Sequence, residues 1–527
     1  MKNVVYINCW TDPWIKVAHE LEIKQGLHPV YWIGYSSYTD SDNADIVIPQ
    51  EFPGIKYIDN LEAWMGHFPK EVLKDSPDYY LDVDFLRKNA DHELQAIKMM
   101  DRVDPDRYSF NFTERQRHFR RMIKQWLTVI DKENIGMVIS TAIPHRLYDY
   151  VLFWLCKEKG IPFIMLSHTQ FIGRFFTMKD DFFRINDLFV EDWHSFEKEN
   201  SLTDRIPQDI LTTYNKVCKE YSEAAPAFMS SKSNIIRFES SIRIICRYAK
   251  RLLRGRYSLK RFFVRGECKD VHHYFLCKNR KMTYENSYYS VWQQMIHYIR
   301  SVKYKKKLLD YYESQCETPD YNVPYVCHFL HYQPEATTCP GGDVFVDQSL
   351  CIELLLKNLP SSYYVYVKEH PHQFLTNRPG HSCRMQDLYD DLKKNPRVRL
   401  ISIKENPFDL MKKAKAVSTI SGTVGWEAMV RQKPVIAFGL CWYENYSRGV
   451  LRITDESSAS NMLHFIENYK FNEHSLLAYL AAVGKNTSLA YYFKKAGKDI
   501  LNISEEECVD NLASSISREI NNGCCVQ

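Results

Sequence analysis

At 527 residues, the chain is too long for one compact core, which predicts two domains with additions. Hydrophobic residues make up 45% of it and charged residues 25%, a balance typical of globular proteins that argues against widespread disorder. The formal net charge of only +4 argues against a dedicated nucleic-acid binder.

The cysteine pattern bears on the compartment. Fifteen cysteines are scattered without a CxxC pair, and the N-terminal sequence is typical of a buried strand rather than a secretory signal. Both features favour free thiols in a reducing cytoplasm. No run of 18 apolar residues occurs, so no membrane-spanning helix is predicted.

Over the first 170 residues, strand-like and helix-like segments alternate, which predicts parallel βαβ units in a doubly wound sheet. The predicted strands are Val4–Asn8, Val30–Ile33, Asp45–Ile48, Gly136–Ser140 and Pro162–Leu166, and the predicted helices are Pro13–Gln25, Thr113–Ile130 and Leu147–Lys159. Ligands of such sheets bind outside the carboxyl ends of the strands. The candidate residues at this rim for binding an acceptor substrate are Asp12, His145, His168 and Arg174.

Residues 232–281 interrupt this pattern with fifteen Lys or Arg residues against three acids, interleaved with isoleucine, leucine and phenylalanine. A basic amphipathic helix of this kind indicates contact with an anionic membrane surface. The alternative is a solvated helical insert whose apolar face packs on its own domain. The sequence leaves both interpretations open.

From residue 323 a second alternating series begins, which predicts another doubly wound sheet. The predicted strands are Tyr325–Leu330, Tyr363–Val367, Val398–Ile401, Val417–Ile420 and Val435–Phe438, and the predicted helices are Asp347–Leu356, Met385–Lys393, Pro407–Lys413 and Gly425–Arg431. Two such domains with a cleft between them form the architecture of many nucleotide-sugar transferases.

The strongest chemical motif is Ser421-Gly422-Thr423, where a buried strand leads into a helix. Free backbone N–H groups and the helix dipole favour an anion at such a turn, so the motif predicts a phosphate site. Glu427, one turn into the helix, is positioned to reach a ribose diol. His370, which follows a neighbouring strand, can donate a proton or a hydrogen bond to the leaving phosphate. Lys368 can neutralise phosphate charge.

The loop after the first strand of this second series places Glu335 at the cleft, as a base, a nucleophile or a ligand of sugar hydroxyls. His328 and His331 have no acidic or thiolate partners at ligand spacing, so satisfied strand histidines are expected rather than a metal site. No aspartate motif for a metal-bound diphosphate stands in a convincing context, so we expect transfer without a metal or other cofactor.

Several motifs resemble the bacterial capsule polysaccharide biosynthesis proteins, a family related to capsular Kdo transferases. They are residues 330–338 (LHYQPEATT), Gly341-Gly342, Asp347-Gln348, residues 367–371 (VKEHP) and residues 421–427 (SGTVGWE). The resemblance is specific over roughly 323–450 and implies a GT-B fold. It also implies a cytoplasmic enzyme that builds surface polysaccharide near the inner membrane, where a peripheral location is one expectation.

The His-Pro pair followed by a hydroxyl-rich turn is also similar to bacterial sialyltransferases and polyglycerol-phosphate polymerases, which use cytidine-nucleotide donors. By this resemblance, His370 meets the donor phosphate, and Ser421 and Thr423 bind it. The capsular Kdo transferases usually carry an aspartate where this chain offers Glu335, and the acid-base motif of the sialyltransferases is not recognisable.

The sequence as a whole predicts an α/β, GT-B-like enzyme with two doubly wound Rossmann-like domains facing a central cleft and a basic helical insert. The predicted division is an acceptor domain (1–225), the insert (226–320), a nucleotide-sugar domain (321–460) and a helical tail (461–527). The expected reaction moves a sugar from a nucleotide-activated, CMP-linked donor to a glycan or glycolipid acceptor. The alternatives are a CDP-glycerol-type glycerophosphotransferase and a non-catalytic, membrane-associated partner of the polysaccharide assembly machinery.

Overall fold

Two β-sheets form the framework of the protein. The computed structural model describes residues 1–36, 43–74, 77, 79–102, 111–182, 187–218, 236–256, 259–263, 290–376, 378–492 and 501–522. The basic segment 232–281 therefore lies partly outside the described residues.

The N-terminal sheet has seven strands in the order β13-β6-β5-β4-β1-β2-β3. These strands are β1 (Lys2–Ile7), β2 (Leu27–Gly34), β3 (Lys56–Asp59), β4 (Ile135–Ser140), β5 (Phe163–His168), β6 (Arg174–Lys179) and β13 (Ser488–Leu489). Strands β1 to β5 run parallel, which confirms the predicted parallel sheet, although β3 was not among the predicted strands. Strand β6 pairs antiparallel with both β5 and β13.

Ten α-helices of the described residues lie within residues 14–218. They are α1 (Trp14–Gln25), α2 (Ala44–Glu51), α3 (Asn60–Trp64), α4 (Lys70–Leu73), α5 (Val83–Lys88), α6 (Ala90–Met99), α7 (Phe112–Lys132), α8 (Leu147–Lys159), α9 (Asp187–Phe196) and α10 (Gln208–Cys218). The predicted strand Asp45–Ile48 is wrong, because this segment lies in α2. Ala44 and Ile48 are buried four residues apart while Ile46 is exposed, which is the periodicity of a helix. The β-branched residues thus follow tertiary packing rather than their strand preference.

The C-terminal sheet has six parallel strands in the order β12-β11-β10-β7-β8-β9. They are β7 (Tyr325–Phe329), β8 (Tyr364–Lys368), β9 (Val398–Ile401), β10 (Ala416–Thr419), β11 (Val435–Ala437) and β12 (Val450–Arg452). In chain order within this sheet the pattern is 3-2-1-4-5-6, the doubly wound arrangement, and the strand order reverses between β7 and β10. The five strands predicted in this region are confirmed to within two residues.

The remaining helices are α11 (Ser241–Leu253), α12 (Leu259–Phe263), α13 (Val291–Gln315), α14 (Ser349–Asn358), α15 (Gln386–Lys393), α16 (Pro407–Lys413), α17 (Thr423–Val430), α18 (Glu456–Ser460), α19 (Met462–Asn468), α20 (Glu473–Asn486) and α21 (Glu505–Asn522). In the described residues, no helix combines the length and the apolar character needed to cross a bilayer.

The C-terminal segment returns to the N-terminal domain. Helix α20 packs on α9, strand β13 extends the N-terminal sheet beside β6, and α21 packs on α1. Trp193 Nε1 of α9 donates to the carbonyl of Ser475 at 3.2 Å. The two domains are therefore tied together by chain that follows the second sheet.

The two domains also meet directly between their sheets. The guanidinium of Arg102 donates to the carbonyl of His145, which follows β4, and to the carbonyl of Cys339, which follows β7. The Phe171 ring packs against Trp426 and Trp442 at centroid distances of 5.7 and 5.3 Å. Because His145 and Cys339 lie beyond the carboxyl ends of their strands, these edges of the two sheets face each other. This is the predicted GT-B-like arrangement of two Rossmann-like domains.

Candidate functional site

The carboxyl edge of the C-terminal sheet brings together four loops, which follow β7, β8, β10 and β11. The loop after β7 approaches the turn after β10 through a hydrogen bond from Ser421 Oγ to the carbonyl of Thr337 at 3.1 Å. It also meets the loop after β11, because Leu440 N–H donates to the carbonyl of Gly341 at 2.7 Å. These contacts lie at the point of strand reversal, where doubly wound sheets bind ligands.

The Ser421-Gly422 turn is held by a histidine. The N–H of Ser421 donates to His331 Nε2 at 3.2 Å, and the N–H of Gly422 donates to Thr419 Oγ1 at 3.2 Å. Since Nε2 accepts, the His331 ring is neutral with its proton on Nδ1. Burial, and then the nearby Arg384 charge, lower the His331 pKa to about 4, in agreement with a neutral ring. His331 is thus a positioning residue that sequence reasoning treated only as a strand histidine.

Helix α17 begins directly after this turn, with residues 421–424 partly open to solvent. The first N–H groups of a helix have no partner inside the helix. Within the described part of the chain, no backbone or side-chain group accepts from the N–H of Thr423 or Val424. The turn therefore presents two aligned donors and the positive end of the helix dipole, which suits a phosphate.

His370 follows β8 and opens a short 3₁₀ helix, Pro371–Phe374. Its Nδ1 accepts from the N–H of His372 at 3.1 Å. In a neutral imidazole the other nitrogen then carries the hydrogen, so Nε2–H is a donor. Burial is the main cause that lowers the His370 pKa to about 3, with His372 next. His370 is therefore built to donate a hydrogen bond rather than to carry a charge.

An ion pair at the base of this loop connects it to the loop after β7. Glu369 Oε1 accepts from the N–H of His370 at 2.8 Å, and Arg384 Nε lies 2.7 Å from Glu369 Oε2. Arg384 also donates to the carbonyl of His331 at 3.0 Å and to Gln333 Oε1 at 3.2 Å. Burial works against the Arg384 charge, but Glu369, together with Tyr389 and Cys383, outweighs burial, so the Arg384 pKa is raised. Sequence reasoning missed this pair.

Glu335 lies on the loop after β7, where it keeps contact with solvent. Its carboxylate accepts from Thr337 Oγ1 at 3.2 Å. Surrounding protein raises its pKa, and the Thr337 hydroxyl and the charges of Arg102 and Arg378 oppose this less strongly. Arg102 also joins the two domains, so Glu335 lies near the contact between them.

Glu427 is buried on α17, close to Thr423 and Arg431. Burial raises its pKa to about 7, although Arg431 and the Thr423 hydroxyl act in the opposite direction. A carboxyl with such a pKa changes charge near neutral pH, so it can accept or donate a hydrogen bond there.

The side chain of Lys368 does not join the other residues of the candidate site. It is buried, and Nζ donates to the carbonyl of Ser402 at 3.0 Å. Burial lowers its pKa to about 8. The alternation along β8 explains the placement, because Lys368 and Glu369 point to opposite faces.

The histidines weighed for a metal have other partners. His328 Nδ1 and Ser418 Oγ lie 2.9 Å apart, and burial lowers the His328 pKa to about 3. Among the described residues, no group of three or more His, Cys, Asp or Glu side chains is placed to hold a metal ion.

The opposing rim of the N-terminal domain is organised around Asn8, which ends β1 in the left-handed region at φ 61°. Its Oδ1 accepts from Arg146 and Tyr148 OH, which follow β4, and from Asn60 Nδ2, which follows β3, so two segments converge on it. Asparagine tolerates this backbone conformation better than most residues. The Arg146 side chain also contacts Tyr35 OH at 2.9 Å.

Two of the predicted acceptor-side residues have structural partners at this rim. Arg174 pairs with Asp209 through Nε at 2.5 Å and Nη2 at 2.8 Å. His145 Nδ1 lies 2.6 Å from the carbonyl of Ile143. Asn8 and Arg146 therefore define the polar centre of this rim better than Arg174 and His145 do.

A separate hollow of about 860 Å³ lies beside α14, lined by residues that include Asp343, Leu354, Arg452 and Asp455. None of the predicted site residues lines it. The candidate site is therefore defined by converging side chains and loops rather than by this hollow.

Residues 340–491 match the family model described as capsule polysaccharide biosynthesis protein. The family resemblance predicted from the sequence is confirmed for this segment. It contains His370, Ser421, Gly422, Thr423 and Glu427, whereas Glu335 lies just before it. No curated protein sequence matches the chain.

Solved structures similar to the chain include the KpsC β-Kdo 2,4-transferase of Thermosulfurimonas dismutans, with 14% identity and a TM-score of 0.27 over 68% of this chain and 82% of that one. The UDP-GlcNAc 2-epimerase of Methanocaldococcus jannaschii has 14% identity and a TM-score of 0.24 over 90% of this chain and 94% of that one. The UDP-forming α,α-trehalose-phosphate synthase of Burkholderia vietnamiensis has 10% identity and a TM-score of 0.25 over 92% of this chain and 96% of that one. Likenesses this distant say nothing about reaction or substrate.

Proposed function

We propose that the protein is a glycosyltransferase of capsule or related surface-polysaccharide assembly that uses a nucleotide-activated, CMP-linked sugar. The observation that carries the proposal is the convergence of the His370 loop and the Ser421–Thr423 turn on His331, at the strand reversal of the C-terminal sheet. Ser421 N–H binds His331 Nε2, and Arg384 links the His331 carbonyl to Glu369 beside His370. The match of this segment to the capsule family supports the same class.

In this proposal the donor phosphate binds at the start of α17. The N–H groups of Thr423 and Val424 and the His370 Nε2–H donate to its oxygens. Glu427 contacts the ribose. These donors are fixed before the donor arrives, so they stabilise the negative charge that develops on the phosphate as it leaves.

The acceptor glycan or glycolipid binds at the opposing rim around Asn8 and Arg146. During transfer the bond between the anomeric carbon and the phosphate oxygen breaks, and a bond to the acceptor oxygen forms. The acceptor proton passes to the Glu335 carboxylate, and the nucleotide leaves with both electrons of the broken bond. Approach of the two rims aligns the reactants and excludes water.

The test is a thermal-shift panel of the full chain against CMP, CDP, UDP, GDP and ADP. Ligand that binds only the folded state raises apparent stability, by about 2.7 kcal/mol at a hundredfold excess over Kd. We expect a shift with cytidine nucleotides that is lost in His370→Ala and retained in His464→Ala, a matched change at an exposed histidine of α19.

Other outcomes separate the alternatives. A shift with UDP or GDP alone would reject the CMP donor while keeping the nucleotide site. Transfer of glycerol phosphate from CDP-glycerol to an acceptor, with release of CMP, would favour the phosphotransferase. No shift with any nucleotide, with and without an added glycan acceptor, would favour the non-catalytic partner.

A further inference from the structure

Helix α11 in the basic segment has an inward stripe that packs on its own domain. Ile244 and Tyr248, four residues apart, are buried in a cluster with Val291 and Met295 of α13. The interpretation of this helix as an insert packed on its own domain therefore accounts for one of its faces.

A second apolar stripe of the same helix is exposed. Ile242 is 74% exposed, Ile245 45% and Leu253 88%. At 3.6 residues per turn, they lie within an arc of about 100° together with the exposed residues Cys246 and Ala249. Scattered exposed apolar residues are ordinary on protein surfaces, but a continuous stripe marks an interaction site.

A third stripe, next to the exposed apolar one, is basic. It contains Arg243, Arg247, Lys250 and Arg254, of which Arg247 pairs with Glu239 at 2.6 Å. Glu239 is the one acid of residues 236–256 and 259–263. Positive charge therefore flanks the exposed stripe along the length of the helix.

Three further exposed apolar side chains come from the neighbouring helices. They are Leu259 and Phe263 of α12 and Trp292 of α13. The rings of Phe263 and Trp292 lie 6.4 Å apart between centroids. Tryptophan and phenylalanine are favoured where water meets hydrocarbon, because the rings are large and the indole N–H is polar.

We propose that this surface, formed by Ile242, Ile245, Leu253, Leu259, Phe263 and Trp292 with its flanking arginines and lysine, lies on an anionic lipid bilayer. The apolar side chains enter the boundary between headgroups and acyl chains, and the basic stripe meets the lipid phosphates. The side-by-side arrangement of apolar and basic stripes is the pattern of a helix that lies in the membrane plane. The nearly acid-free surface favours lipid phosphate over an average protein partner, which presents both charges.

The location of the surface relates it to the candidate site. Helix α13 carries Trp292 near its start, and thirteen residues later Lys305 Nζ donates to the carbonyl of Leu375 at 2.9 Å, in the loop that begins at His370. At 1.5 Å per residue these positions are about 20 Å apart. Membrane contact would thus hold the His370 loop at a fixed height above the lipid, within reach of a lipid-linked substrate. The contact itself does not depend on nucleotide binding.

The experiment is co-sedimentation of the full chain with phosphatidylcholine vesicles, with and without phosphatidylglycerol. The apolar variant is Ile242→Ser/Leu253→Ser/Phe263→Ser, and its control is Ile23→Ser/Leu94→Ser, which changes exposed apolar residues elsewhere. The charge variant is Arg243→Gln/Lys250→Gln, and its control is Lys404→Gln/Lys412→Gln at exposed sites of the C-terminal domain.

We expect binding to the anionic vesicles that falls with salt and is lost in the apolar variant. The charge variant should bind about 25-fold more weakly, or about fivefold per charge, from about 1 kcal/mol per cation. Equal binding of variants and controls, or no binding to anionic vesicles, would overturn the proposal. A dimer in light scattering that the apolar variant abolishes, without vesicle binding, would assign the surface to a second copy instead. Circular dichroism shows whether the variants are folded.

Discussion

Glu369 and Arg384 form a buried ion pair, with 2.7 Å between Oε2 and Nε, directly beneath His370. Tyr389 OH donates to the same carboxylate at 2.8 Å, and the His370 N–H donates to its other oxygen. The pair therefore fixes the backbone from which the His370 imidazole projects. Two loops that are about forty residues apart in sequence depend on it, since Arg384 also holds the carbonyl of His331.

Replacing Arg384 with methionine should lower the free energy of unfolding by about 3–5 kcal/mol, because the Glu369 charge stays buried without its partner. Urea denaturation measures the change. The control is Arg378→Met, an exposed arginine of the same loop, which should cost less than about 0.5 kcal/mol. Adding Glu369→Gln to Arg384→Met should recover part of the loss. A double variant no more stable than the single one would show that the buried charge is not the cause.

Much of the fold could be predicted from periodicity. The apolar run Val435–Ala437, and Val398–Ile401 with Arg399 as its one charged residue, are short and bounded by turns, which predicts buried parallel strands. The segment containing Ile46, Val47 and Ile48 has the same composition but lies in α2, because only Ala44 and Ile48 face the core. Strand β13 has two residues, and its pairing with β6 depends on a tail more than 300 residues away. No local pattern predicts such a contact.

The site was predictable where chemistry is encoded locally. Ser421-Gly422-Thr423 reads directly as a strand-to-helix turn, and His370 follows an apolar strand. Arg384 lies in a loop with no periodicity, and its partner Glu369 is identified only once both are folded. Lys368 shows the opposite case, in which proximity in the sequence suggests a site residue that the fold directs elsewhere. It lies beside His370 in sequence, yet the strand alternation turns its ammonium group to the carbonyl of Ser402.

Replacing Glu427 with glutamine should stabilise the protein at alkaline pH. Burial raises the Glu427 pKa from its ordinary 4.5 to about 7, so the folded state binds this proton more tightly than the unfolded state. The stability that this bound proton gives the wild-type folded state is complete below pH 4.5 and is lost as the pH rises through 7. At pH 8, Glu427→Gln should therefore be more stable by roughly 2–3 kcal/mol, with little change at pH 4.

Urea denaturation at the two pH values measures this difference, with Glu467→Gln as an exposed control. If Glu427 also binds the ribose, the same variant should lose the nucleotide-induced thermal shift while gaining stability. A variant that is less stable than the wild type at pH 8 would show that burial does not disfavour the ionised Glu427 carboxylate.

The pH dependence below neutrality should reflect histidines that are buried without charge. Burial lowers the His328 pKa from 6.5 to about 3, so between these values the unfolded chain takes up a proton that the folded protein excludes. Stability is complete above pH 6.5 and is lost as the pH falls towards 3. In His328→Gln, the slope of the free energy of unfolding against pH between pH 4 and 6 should fall by up to about 1.4 kcal/mol per pH unit, which corresponds to one proton. An unchanged slope would contradict this, and His464→Gln is the exposed control.

Gly425, in the first turn of α17, has no room for a side chain. A Cβ added there would lie 2.2 Å from Tyr443 OH, the hydroxyl that donates to the carbonyl of Gly422 at 2.5 Å. Gly425→Ala must therefore displace Tyr443 and release the turn that presents the Thr423 N–H. We expect a loss of stability of about 1–3 kcal/mol from overpacking, together with loss of the nucleotide-induced thermal shift. Gly136→Ala, where the nearest atom to an added Cβ is 3.4 Å away, should leave the nucleotide response intact. If Gly425→Ala kept the full nucleotide response, the phosphate would not be bound by this turn.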